Sequence, residues 1–214
     1  MTSRNWVRLF TRTLLLGAIV AILMSFFVKS SSYSANLSPF DTWEIFGLLI
    51  WFAGIGFLFS IVSQTGFFAY LVLNQIGLGV FKGYWPTVQI GLIAFALFDL
   101  VYFPFKAAGE GASIFPYLIT AFVIFAFGYV VSYIKARETN KRAFVPALFF
   151  MVVITIIEWV PVLRTGDADW MLLMIAPLLA CNTYQLLVLH KINKKVEEEK
   201  QQQDTKTQNH KSKK

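Results

Sequence analysis

Apolar and polar positions in this chain alternate on a scale of about twenty residues. Long apolar runs occupy residues 13–28, 43–63, 86–105, 114–134, 144–163 and 170–189, with short polar segments between them. A helix needs about 20 apolar residues to cross ~30 Å of hydrocarbon, so each run predicts a spanning helix. The expected fold class is all-α: a polytopic membrane protein built as a bundle of about six transmembrane helices. The segment after the second run breaks the pattern. Residues 60–81 stay apolar but are rich in glycine, aromatics and uncharged amides, and the next charge is Lys82. Such a stretch is too broken for an ordinary span and too apolar for a solvated loop. It predicts an interfacial or re-entrant segment following the second span.

Composition supports the class. Of the 214 residues, 57% are hydrophobic and only 14% charged, where a soluble domain carries about a quarter charged. Residues 1–190 are expected to form the membrane domain. Residues 191–214 form a basic, low-complexity tail expected to be cytoplasmic and largely disordered beyond about Lys200. The formal net charge of +7 does not point to nucleic acid, because the basic residues lie beside apolar runs.

With the N-terminus cytoplasmic, 16 of 19 Lys and Arg residues fall inside, including Arg4, Arg8, Arg12, Lys135, Arg137, Lys141 and Arg142. Basic residues favour the cytoplasmic side. The expected location is therefore an inner membrane, with both termini on the cytoplasmic side. The same basic residues would meet anionic lipid. Gly17, Ala21 and Ser25 on the first run, and Gly54, Gly56 and Ser60 on the second, read as close helix-packing faces. The lone Cys181 sits in an apolar run as a packing residue.

Two acids lie within spans. Asp99 is 13 residues past Pro86 and Glu158 is 14 past Phe144. Both sit ~20 Å from the inner edge, so they are able to meet at one depth. An intramembrane acid is costly and points to a proton, cation or ligand site. The bland alternative is a packing role, with bonds to Tyr102, Thr155, Gln89, Lys106 or Arg164. The amides Gln64, Asn74, Gln75, Gln89, Asn182 and Gln185 read first as interhelical hydrogen-bonding groups. No enzyme signature is present: two histidines and one cysteine lack zinc-site spacing, and there is no nucleophile elbow or phosphate loop. No catalytic residue, metal or cofactor is expected.

The string Ser63-Gln64-Thr65-Gly66-Phe67-Phe68-Ala69-Tyr70-Leu71, followed by Gly77-Leu78-Gly79-Val80-Phe81, resembles the KinB-signalling pathway activation (KbaA-like) proteins of endospore-forming bacteria. Ser3-Arg4-Asn5-Trp6 and Leu97-Phe98-Asp99-Leu100-Val101-Tyr102-Phe103 add to the resemblance, which covers residues 1 to about 190. It implies a membrane regulator that promotes activation of the KinB-type sensor histidine kinase pathway leading to sporulation. That kinase is the implied partner, reached through helix–helix contacts. Ser63, Gln64, Gly66, Phe67, Phe68, Tyr70, Gly77 and Gly79 are then candidate interaction residues. The competing expectation is a small transporter or ligand-sensing membrane protein that uses Asp99 and Glu158.

Overall fold

A backbone without water must satisfy its hydrogen bonds within its own segment, and continuous apolar runs therefore fold as helices. The computed structural model describes residues 3–30, 33–34, 42–109, 111–163 and 167–211, with side chains described between residues 5 and 192. Every regular element among them is helical. The order is α1 (Ser3–Val28), α2 (Thr42–Phe81), a 3₁₀ turn (Lys82–Tyr84), α3 (Trp85–Ala107), α4 (Phe115–Glu138), a 3₁₀ turn (Lys141–Ala143), α5 (Phe144–Phe149), a π-helical segment (Phe150–Ile154), α6 (Thr155–Leu163) and α7 (Ala168–Lys211). Among the described residues five helical stretches are long and apolar enough to cross a membrane: Asn5–Val28, Thr42–Ala107, Phe115–Glu138, Lys141–Leu163 and Ala168–Ile192.

The second stretch corrects one expectation. Residues 60–81 form no separate interfacial or re-entrant piece, because α2 runs unbroken for 40 residues, ~60 Å, from Thr42 to Phe81. Its glycines do not break it, since packing on one face outweighs their modest helix penalty. The reversal comes later. Lys82 adopts φ 49°, a left-handed conformation uncommon for lysine, and the chain folds back into α3. Pro86 in the first turn of α3 suits that start. Asn140 starts the reversal between α4 and α5 from an extended backbone, its side chain accepting a hydrogen bond from the Ala143 amide at 3.1 Å.

The centre of the bundle is the rod formed by α5, the π segment and α6. Every residue from Ala147 to Ile156 is buried, so this rod is surrounded on all sides. The helices around it bury one face and expose an equally apolar one, with Val72, Ile76, Phe95, Phe122 and Val130 all exposed.

Helices α1 and α2 cross closely. A β-carbon on Gly56 would lie 2.6 Å from the backbones of Gly17 and Ala18 and 2.8 Å from Ala21 Cβ. Ser60, one turn on, donates to the Thr13 carbonyl at 3.2 Å. Gly54, expected on the same face, points into open space. It lies two residues from Gly56, about 200° around the helix. Gly56→Leu is therefore expected to destabilise the bundle by about 1–3 kcal/mol, and Gly54→Leu by less than about 0.5 kcal/mol. Thermal unfolding of both variants in detergent checks the contrast.

At the far end of α1, Lys29 pairs with Asp169 of α7 at 2.6 Å. That hydrogen bond raises the lysine above its ordinary pKa. The lysine is accordingly charged at neutral pH, and its part in the tie is lost as pH climbs through the raised value. The helix α7 continues to Lys211, past the point where composition expects order to end. Lys, Glu and Gln are good helix formers, so helix propensity does not oppose the extension.

Candidate functional site

The glycine- and amide-rich stretch is the core-facing stripe of α2. Ser60, Ser63, Phe67, Tyr70 and Gly77 are buried at helical spacing. Phe67 meets Phe150 edge-on at 5.5 Å, and Tyr70 lies 4.9 Å from the same ring. The small and polar positions on this face each receive a group from another helix. Trp85 of α3 folds back over Gly77, where a β-carbon would strike its indole, and donates Nε1–H to Asn74 Oδ1 at 2.8 Å. Gly66 receives the carboxyl of Glu158, and a side chain there would collide with it and with Ile154. Phe68 points the other way, toward Trp6 and Phe10 of α1. Gly79 faces open space, and Gln64 is half-buried with its amide nitrogen unpartnered among the described residues.

Above this stripe sits a buried polar network whose hub is Asn182. Ser63 Oγ of α2 donates to Asn182 Oδ1 at 2.7 Å. Asn182 Nδ2 donates to Thr155 Oγ1 at 2.9 Å and to Glu158 Oε2 at 2.8 Å. Gln185 Nε2 donates to Ser63 Oγ at 2.7 Å and to the Cys181 carbonyl at 3.2 Å. Ser63, Thr155, Asn182 and Gln185 are fully buried and Glu158 nearly so. One amide thus ties α2, α6 and α7 together. Glu158 Oε1, aimed at Gly66, and Gln185 Oε1 have no partner among the described residues. Gln89 of α3, also fully buried, has neither amide atom partnered among them.

Asp99 and Glu158 do not share a site. Asp99 borders a cavity whose wall includes Ile156 and Val160 of α6. Those two bracket Glu158 in sequence. They lie about 200° around the helix from it, and Glu158 faces α2 and α7 instead. The π segment just before α6 fits one extra residue into a turn, so the facing of Glu158 does not follow from counting along a regular helix from Phe144. Of the bland partners expected for the acids, Thr155 belongs to the Glu158 network. Tyr102 accepts from Lys106 at 3.3 Å, and Arg164 lies outside the described residues.

The basic set divides. Arg8, Arg12, Arg137, Lys141 and Arg142 are exposed, and the side chain of Arg4 lies outside the described residues. Lys135 is buried instead. It donates to the Leu186 carbonyl at 2.7 Å and lies 3.1 Å from His190 Nδ1, holding α4 to α7. His190 Nε2 in turn lies 3.2 Å from Glu138. Among the described residues no three His, Cys, Asp or Glu side chains are grouped to hold a metal. The residue that sequence reasoning underrated is Asn182. It read as one amide among six, and only its convergence with Ser63, Thr155 and Glu158 marks it out.

The model of the family described as KinB-signalling pathway activation in sporulation matches residues 17–192. The chain belongs to this family. The KinB-signaling pathway activation protein of Bacillus subtilis (strain 168) is 40% identical to it over 194 residues, which cover 89% of this chain and 98% of that relative. No solved structure matches. In this member of the KinB-signalling activation family the matched span contains the whole Asn182 network and Asp99, and it ends where the charged extension of α7 begins.

Proposed function

We propose that this chain is an integral membrane regulator that promotes the KinB pathway leading to sporulation. The observation that carries the reading is the likeness, over 89% of this chain and 98% of the relative, to a protein whose name states that role. The stretch Thr42–Ala107 reverses at Lys82–Tyr84 and is long enough for two crossings, which makes six in all. Six crossings put both termini on one side, and the basic residues favour the cytoplasm of a bacterial inner membrane. The apolar outer faces of the helices support a hydrocarbon surround. The exposed arginines and lysines at the inner edge suit anionic lipid.

The partner is the sensor kinase in the membrane, reached through helix–helix contact. Such contact changes kinase output only if it favours one kinase conformation over the other. Because Ser63, Gly66, Phe67, Tyr70 and Gly77 face inward, their role in this reading is to set how α2 packs. The kinase would meet the outward face of the same helix, at Val72 and Ile76. The test is deletion of the gene in strains retaining one sporulation kinase each, followed by a sporulation-initiation reporter. The expected result is a loss confined to the strain that depends on the KinB-type kinase. An equal loss with every kinase, or no loss, rejects the reading. The transporter or ligand-sensing reading retains one supporting observation, the cavity beside Asp99.

A further inference from the structure

Helix α3 packs against α5 and the π segment and touches α6 little. Toward the ends of these helices a cavity of about 900 Å³ opens between α3, α4, α6 and α7. That volume lies within the ~300–1,000 Å³ of small-ligand pockets. Its wall is apolar and partly aromatic, with Leu100, Phe103, Tyr117, Ile156, Val160 and Met171. Asp99 is the acidic group among these lining residues. None of the described residues makes a hydrogen bond or ion pair to it. The nearby cation on its own helix, Lys106, is engaged elsewhere: its ammonium lies 5.6 Å from the centre of the Tyr102 ring and bonds that hydroxyl.

This wall selects a ligand class. An anion is repelled by Asp99. A neutral lipid tail satisfies the walls and leaves the carboxylate uncompensated, which is costly in an apolar setting. A bare metal ion needs several oxygen ligands, and the wall offers little beyond one carboxylate and one phenol. A cation with an apolar body satisfies both parts. Its ammonium pairs with Asp99 and gains from the faces of Phe103 and Tyr117, while its hydrocarbon covers Ile156 and Val160. We infer that the cavity is a binding site for an amphiphilic organic cation, an alkyl- or arylammonium, with Asp99 as its counter-ion.

The test uses the full chain in nanodiscs of phosphatidylcholine, titrated calorimetrically with octylammonium and with octanol, with empty nanodiscs subtracted. Saturable binding is expected, at least tenfold tighter for octylammonium. Asp99→Asn should erase that preference while leaving octanol binding unchanged. Val160→Trp, which narrows the cavity and keeps the acid, should weaken both ligands. Unfolding temperatures of the two variants within a few degrees of the parent establish that the cavity walls remain in place. Equal affinity for ammonium and alcohol, a preference that survives Asp99→Asn, or no saturable binding above empty nanodiscs overturns the assignment.

Discussion

Replacing Asn182 with leucine is expected to lower the stability of the helix bundle by about 2–5 kcal/mol. Leucine has the branched shape of asparagine and is somewhat larger, so the loss does not come from a cavity. Asn182 makes three hydrogen bonds to side chains of other helices, to Ser63, Thr155 and Glu158. Interhelical bonds of this kind contribute about 0.6 to 1.7 kcal/mol each within a membrane. Their removal also leaves a second carboxyl oxygen of Glu158 without its partner, beside an Oε1 that already has none among the described residues. Thr183, the next residue, has a buried hydroxyl with no partner among them, so Thr183→Val should change stability by less than about 0.5 kcal/mol. Unfolding of both variants in mixed micelles, followed by circular dichroism, makes the comparison. If Asn182→Leu behaves like Thr183→Val, the network contributes no net stability.

Substitution of Gly66 by valine is expected to cost about 3 kcal/mol and to abolish pathway activation, with insertion into the membrane retained. A β-carbon at Gly66 overlaps the Glu158 carboxyl and approaches Ile154 Cγ2 to 2.9 Å. The carboxyl must then swing away, which breaks its bond from Asn182, and the rod carrying Ile154 must shift. Overpacking of a filled core costs about 1–3 kcal/mol, and the lost bond adds to it. The collision names its own remedy. In the double variant Gly66→Val with Glu158→Ala, the methyl groups of valine occupy space left by the carboxyl. The two changes should couple favourably by at least about 1 kcal/mol. Stability of the single and double variants, with a sporulation reporter and membrane fractionation in parallel, tests this. Strict additivity would show that Gly66 is not there to receive Glu158. Normal activation by Gly66→Val would separate the stripe on α2 from signalling altogether.

The helical class and the limits of most helices were legible along the chain, because a run of about twenty apolar residues has few other uses. The family was legible too, in the string from Ser63 to Phe81. The nature of that string was not. Its glycines and amides suggest a broken backbone, yet each of Gly66, Asn74 and Gly77 answers a group that arrives from elsewhere: Glu158 from α6 and Trp85 from α3. A small residue on a helix looks the same in sequence whether it breaks the helix or receives a neighbour. Gly54 and Gly56 make the same point at closer range, one facing open space and the other pressed against α1.

What the sequence determined by itself was depth along the bundle axis. Apolar length and a fixed rise per residue set it, and the α6 residues on either side of Glu158 reach the cavity that Asp99 borders. What only the tertiary structure decided was direction around each helix. A π segment before α6, invisible in an apolar run, helps turn Glu158 toward Asn182 and Gly66 and leaves Asp99 facing a cavity. Burial of Lys135, which composition reads as one more cytoplasmic charge, was decided in the same way, by the carbonyl of Leu186 on a helix some fifty residues further along. Rise per residue is a property of the chain, whereas facing depends on which neighbours each helix finds.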